Sequence, residues 1–174
     1  MKIKAMAAAV ILFAAAAARI HAFGLGAQFN FIAGEVFAPG AAIAISPMDN
    51  VHFAVNWFLD FENTNIVGLT LDFVPLTLPI SKFSAGSFNF TLGFGIFTNI
   101  IFTGDPGFNG GLRIPVGFNL LLGRDIFEIY THIAPSFGVR FLPSLGFENF
   151  FFPIAVGARI WFRDGSRNST SRRV

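Results

Sequence analysis

The sequence predicts an all-β fold: an eight-stranded antiparallel up-and-down transmembrane β-barrel. Three observations lead there. Apolar residues recur at every second position along most of the chain, the signature of strands with two unlike faces. After residue 22 no apolar run reaches the 18 residues that would suggest a spanning helix. Only 13% of the 174 residues are charged while 53% are hydrophobic, too few charges to coat a water-soluble globule. With 25 Phe and 18 Gly, the chain also carries too much apolar surface to remain disordered. The absence of cysteine excludes a disulfide framework, thiolate metal sites, a cysteine nucleophile and a lipid-anchored precursor.

Residues 1–22, MKIKAMAAAVILFAAAAARIHA, read as an address. Lys2 and Lys4 precede an apolar stretch from Ala5 to Ala18, and the segment closes on Ile20-His21-Ala22. That is the pattern of a secretory signal peptide, with Sec-type cleavage expected near Ala22. The stretch is shorter than the roughly 20 residues a membrane anchor needs. Without Lys2, Lys4 and Arg19, 9 basic residues remain against 10 acidic ones. Four of the nine, Arg163, Arg167, Arg172 and Arg173, crowd into residues 163–174, leaving residues 23–162 acidic. A nucleic-acid partner is therefore not expected. The expected organisation is a signal at 1–22, a barrel at 23–162 and a basic, disordered periplasmic tail at 163–174.

The strands follow in order. In Phe23–Phe31 the odd positions are apolar and the even ones are Gly24, Gly26, Gln28 and Asn30. Ala41–Ser46 sets Ile43 and Ile45 against Ala42 and Ala44, before the turn Pro47-Met48-Asp49-Asn50. From Val51 to Glu62, apolar Val51, Phe53, Val55, Trp57, Leu59 and Phe61 alternate with His52, Ala54, Asn56, Phe58, Asp60 and Glu62. Val67–Phe73 alternates with Gly68, Thr70 and Asp72. The fifth run spans Phe88–Ile96 and the sixth Leu112–Leu120, the latter with Arg113, Pro115, Gly117 and Asn119 on its second face. The seventh opens at Phe127 after Gly123-Arg124-Asp125, and its parity continues to Phe141. The eighth, Ile154–Phe162, carries Ala155, Gly157, Arg159 and Trp161 opposite its aliphatics.

Most of these runs are near the 9–11 residues of a tilted transmembrane strand. The second face is mostly Gly, Ala, Asn and Thr, too weakly polar to be the wetted outside of a soluble lipid carrier. Turned the other way, the apolar face meets lipid and the small residues fill a narrow lumen. Closure then pairs every backbone group, as hydrocarbon demands. Short periplasmic turns are expected at Pro47–Asn50 and Leu121–Asp125, and outer links at Gly34–Gly40, Asn63–Asn65, Thr98–Gly111 and Leu142–Phe150. Pro75–Gly86 is long for a periplasmic turn, and its alternation suggests that the fourth strand continues past Phe73. Pro115, Pro135 and Pro153 read as bulges or strand ends.

The start FGLGAQFNF, the block GRDIFEIYTHIAPSFGVRF and the closing IAVGARIWF resemble the small eight-stranded outer-membrane barrels of the OmpA-like/OmpX-like kind. The middle block is also similar to small surface barrels of spirochaetes. The resemblance implies a bacterial outer-membrane location, contact with outer-membrane lipid and insertion by the barrel-assembly machinery. Two features depart from it. Such barrels usually end on an aromatic residue, whereas here Phe162 is followed by RDGSRNSTSRRV, and their girdles favour Tyr and Trp, of which this chain has one and two.

By parity, Asp60, Glu62, Asp72 and Glu128 point into the lumen together with Arg113, Arg140, Arg159, His52 and His132. Buried charges are costly unless paired, so these nine residues are expected to form an ionic and hydrogen-bonded network. Either it lines a gated ion path or it is a plug that braces the sheet. Eight strands leave room for little beyond side chains, and Phe58, Phe97 and Trp161 also point inward, which favours the plug. Glu128, His132 and Ser136 are the residue types of a hydrolytic triad, but residues four apart on a strand lie roughly 13 Å from one another. No catalysis, cofactor or metal is expected. Gly93-Phe94-Gly95 and Phe23-Gly24-Leu25-Gly26 lack the helix and glycine spacing of a nucleotide loop. The segment Thr103–Gly111 reads as the main exposed loop, able to meet a host or environmental ligand. The expected role is structural or surface-interacting; a narrow pore is the alternative, and a lipid-modifying enzyme a more distant one.

Overall fold

The computed structural model describes residues 22–33, 38–59, 65–102 and 106–163. The signal segment up to residue 21 and the tail from residue 164 lie outside the described residues. Ten strand segments follow in order: β1 (Ala22–Ala33), β2 (Ala38–Met48), β3 (Val51–Leu59), β4 (Asn65–Phe83), β5 (Gly86–Phe102), β6 (Gly107–Arg113), β7 (Val116–Leu122), β8 (Phe127–Ile133), β9 (Ser136–Leu142) and β10 (Gly146–Arg163). They make eight staves, because β6 and β7 are two halves of one and β8 and β9 two halves of another. The long β5 pairs with β6 from Gly95↔Arg113 to Ile101↔Gly107, and with β7 from Gly86↔Leu122 to Leu92↔Val116. β10 pairs likewise with β8 and β9. It then closes the ring on β1, in unbroken register from Ala22↔Arg163 to Ala33↔Phe152. All pairings are antiparallel, so the barrel is up-and-down.

Proline explains where the two staves break. Pro115, Pro135 and Pro153 occupy one level on three adjacent staves. The Gly93 N–H donates to the Pro115 carbonyl at 2.9 Å, the Ile114 N–H to that of Pro135 at 3.0 Å, and the Ala134 N–H to that of Pro153 at 2.8 Å. Each proline withholds a donor while its carbonyl stays satisfied, so the ladder thins along this line without opening. Parity survives the gap: Phe127, Ile129 and Phe137 are exposed, whereas Glu128, Tyr130, Ser136 and Gly138 are buried.

The same division of faces runs round the whole ring. Leu25, Ile43, Trp57, Leu71, Phe94 and Ile160 are exposed on the outside, each more than two-fifths so. Gln28, Asn30, Asn56, Asp72, Arg113, Glu128 and Arg159 are buried within. A soluble barrel would reverse this arrangement.

The segment after Phe73 is strand, as its alternation suggested: β4 runs on to Phe83 and forms a tall hairpin with β5, with register shifts near Pro75 and Pro79. Other expected links differ from what is observed. The expected exposed loop Thr103–Gly111 is largely absent, because β5 continues to Phe102 and β6 begins at Gly107. Gly110 and Gly111 are ladder residues there; a Cβ on Gly111 would lie 2.1 Å from the Phe137 carbonyl oxygen, so glycine serves close strand approach and not a turn. The expected link Leu142–Phe150 shrinks to 143–145, since β10 starts at Gly146. Pro39, Gly40 and Asn65 likewise belong to strands.

Candidate functional site

The lumen is organised around Glu128, which the β8–β10 register places opposite Arg159. Its Oε2 accepts from Arg159 Nη1 at 3.0 Å and from Trp161 Nε1 at 2.7 Å, and its Oε1 accepts from Asn119 Nδ2 at 2.8 Å. Three donors on one buried carboxylate replace the hydration it gave up. The chain extends sideways, since Asn89 Nδ2 donates to Asn119 Oδ1 at 2.8 Å. Arg159 also lies over the Tyr130 ring, 4.6 Å from its centroid. Its Nη1 donates to His52 Nδ1 at 3.1 Å, and Ser46 Oγ lies 2.7 Å from the same nitrogen. Because guanidinium only donates, Nδ1 carries the lone pair and the imidazole of His52 is held as an acceptor there.

A second pair spans three staves. Asp72 is in register with Gly95, and Gly95 with Arg113. A Cβ at Gly95 would stand 2.1 Å from Asp72 Oδ1, so glycine is what lets the carboxylate cross β5. Arg113 Nε then comes within 3.2 Å of Asp72 Oδ1, and Arg113 Nη2 donates to His132 Nε2 at 3.1 Å.

Amides link these pairs to the wall. Tyr130 Oη donates to Gln28 Oε1 at 2.8 Å, Gln28 Nε2 to Asn30 Oδ1 at 2.7 Å, and Asn30 Nδ2 to Asn56 Oδ1 at 2.9 Å. Each amide accepts and donates, so a row of them passes a hydrogen bond from strand to strand. Sequence reading singled out none of Gln28, Asn30, Asn56, Asn89, Asn119 and Tyr130 as network members. All six share the inward parity of the charges, which is the signal that could have found them.

Two cavities flank this layer. One of about 250 Å³ reaches the rim at Asp49 and Arg163 and is lined by His52, Asp72, Glu128, Arg159 and Trp161. The other, about 20 Å³, lies toward the opposite end against Phe58, Phe97 and Phe151. The rings of Phe97 and Phe151 meet edge to face with centroids 5.2 Å apart. At the wide rim Arg163 bridges two turns, Nη2 to Asp49 Oδ1 at 3.1 Å and Nη1 to Asp125 Oδ2 at 3.6 Å.

Of the nine residues singled out from the sequence, His52, Asp72, Arg113, Glu128, His132 and Arg159 meet in this layer. Arg140 does not. It stands near the far end of β9, its side chain 43% exposed, with Nε 4.0 Å from Glu148. The register carries it past Gly138, against which the Phe97 ring lies, and so beyond the aromatic closure. Asp60 and Glu62 lie outside the described residues. Glu128, His132 and Ser136 are not brought together: Ser136 Oγ donates to the Ala134 carbonyl at 2.7 Å, and His132 faces Arg113. Among the described residues no three His, Asp or Glu side chains are grouped to hold a metal ion.

A closed ring of eight staves, apolar outside with its charges paired inside, fits only a hydrocarbon surround. The chain is an eight-stranded transmembrane β-barrel. No family model matches it, and no curated protein does. Two solved structures are similar to this barrel. The N-terminal β-barrel domain of Pseudomonas aeruginosa OprF is 14% identical, with 82% of this chain and 98% of that one covered, at a TM-score of 0.46. Neisserial surface protein A is 10% identical, with 81% and 96% covered, at a TM-score of 0.40.

Proposed function

We propose that this barrel resides in a bacterial outer membrane, delivered there after removal of residues 1–22 and inserted by the barrel-assembly machinery. Its role is structural or surface-interacting, without catalysis. The observation that carries this reading is the pairing of an apolar exterior with an interior crossed by a buried layer of paired charges. Glu128, Arg159, Asp72 and Arg113 are each at most 6% exposed, and the aromatic closure of Phe58, Phe97 and Phe151 lies beyond them. A side-chain layer cross-linked through Glu128 and Arg159 braces the sheet and leaves contact with other molecules to the barrel ends. Host or environmental ligands would meet the end opposite the termini, where the 143–145 link joins β9 to β10.

A narrow pore for small ionic or hydrophobic solutes is the second reading, and the 250 Å³ cavity favours it. Planar-bilayer recording on the purified barrel separates the two. The plug predicts a flat trace for the wild type and for Arg113→Met alike; discrete steps in the wild type that change with Arg113 or Glu128 substitution would support the pore and overturn the plug. The absence of catalysis is tested separately: a changed acylation pattern in the lipid mass spectrum of expressing cells would contradict it.

A further inference from the structure

His52 and His132 are the imidazoles of the interior layer, and each faces a guanidinium. Arg159 Nη1 lies 3.1 Å from His52 Nδ1, and Arg113 Nη2 lies 3.1 Å from His132 Nε2. A guanidinium only donates, so each of these ring nitrogens presents a lone pair and each ring is neutral. His52 on β3 is further faced by Ser46 Oγ on β2, 2.7 Å from Nδ1, and by Asp72 on β4, its ladder partner. From β10 the Trp161 ring meets it edge-on, centroids 6.5 Å apart, and Arg159 arrives bonded to Glu128 of β8. His132 on β8 has Arg113 of β6 on one side and Tyr130 of its own strand stacked 6.2 Å away. Its ladder neighbours, Gly117 on β7 and Ala155 on β10, carry no charge.

Charge in this layer already balances. Among the described residues it pairs two carboxylates with two guanidiniums, Asp72 with Arg113 at 3.2 Å and Glu128 with Arg159 at 3.0 Å. A proton added to either imidazole would stand against a guanidinium and give the layer a net positive charge, with both its carboxylates already engaged. The two rings are also placed where solvent can reach them. Both line the 250 Å³ cavity that opens at the rim beside Asp49 and Arg163. Gln28, Thr70 and His132 line the smaller cavity as well, so they form the partition between the two.

We infer that His52 and His132 are an acid latch on this layer: protonation drives Arg159 and Arg113 off the imidazoles and opens the partition between the cavities. The inference rests on the reading of the layer as a brace and adds the condition under which the brace lets go. Its sign follows from the hydrogen-bond roles. The folded barrel holds both rings neutral, whereas in the unfolded chain they take up protons below about pH 6.5. The unfolded state then binds more protons, so stability falls as pH falls through that value. The unfolding equilibrium constant rises by up to about tenfold per pH unit for each ring. Loss of the carboxylate pairs begins only near pH 4, about where free carboxylates protonate.

The test follows the full barrel in phosphatidylcholine vesicles from pH 7.5 to pH 5. The urea midpoint of the wild type should fall over this interval. His52→Gln/His132→Gln, whose amides accept and donate without titrating, should flatten the response. Should that variant fail to fold, His52→Gln and His132→Gln singly should each reduce it. In a Trp57→Phe background, Trp161 is buried against Glu128 and should become open to iodide, supplied on both sides, only at the acid end. A wild-type midpoint or a Trp161 signal that stays flat between pH 7.5 and pH 5 overturns the latch. A response undiminished in the histidine variants overturns it too. Glu128→Ala at pH 7.5 reads the brace separately: an unchanged midpoint removes the brace, whereas a lowered midpoint beside a pH-flat wild type removes the latch alone.

Discussion

Glu128 and Arg159 face each other across the β8–β10 ladder with Oε2 3.0 Å from Nη1, their side chains 5% and 4% exposed. Removing one partner of such a pair leaves a buried charge without compensation, at a cost of about 3–5 kcal/mol. Glu128→Ala should lower the urea midpoint of unfolding from lipid vesicles accordingly, followed by the loss of heat-modifiable gel migration. Glu128→Ala/Arg159→Met should recover much of that stability, since the stranded charge goes with its partner. Equal midpoints for the parent and Glu128→Ala would mean that the pair braces nothing.

The two faces should respond oppositely to charge. Ile133 is exposed on the outer wall near the middle of the stave formed by β8 and β9, and Ile133→Arg should cost about 2–4 kcal/mol in the same vesicle titration. Leu145 is 79% exposed in the β9–β10 link, and Leu145→Arg should change stability by less than about 0.5 kcal/mol. A comparable effect at both sites would contradict the placement of the belt.

Gly157 makes room for the amide row. A Cβ there would fall 2.6 Å from Tyr130 Cζ and 2.7 Å from both Tyr130 Oη and Gln28 Cβ. Gly157→Ala should therefore separate Tyr130 from Gln28 and cost about 1–3 kcal/mol, for one buried hydrogen bond lost with strain added. Tyr130→Phe should cost less in the Gly157→Ala background than in the parent, which a double-mutant cycle would read directly.

Which residues face outward was legible because a strand has a period of two and this chain keeps it through interruptions that look disruptive. Pro115 and Pro135 shift no parity: they remove one donor each and leave the carbonyl bonded to the next stave. Strand length was less legible. Gly110 and Gly111 carry a turn signal, yet they lie in β6 at the level where Phe97 fills the lumen, and the Phe97 ring passes 3.0 Å from where a Gly138 Cβ would be. That requirement comes from three strands at once, and no single window of sequence contains it. In the lumen, parity marked the charges but not their partners. Glu128 finds Asn119 and Trp161 across two different ladders, and the distance between those staves along the chain gives no hint of it. Arg140 shares the inward parity of Arg113 and still lies apart, because height along the barrel decides its company.

The chain's two tryptophans stand on opposite faces of the wall: Trp57 is 58% exposed outside and Trp161 is 4% exposed inside, bonded to Glu128. Tryptophan fluorescence of the barrel in bilayers, read with chain-brominated lipid and with aqueous iodide, is the most direct test of which face meets hydrocarbon. Strong quenching by brominated lipid and little by iodide are expected, with the lipid-quenched component abolished by Trp57→Phe. Emission quenched by iodide at Trp57 and untouched by brominated lipid would contradict it.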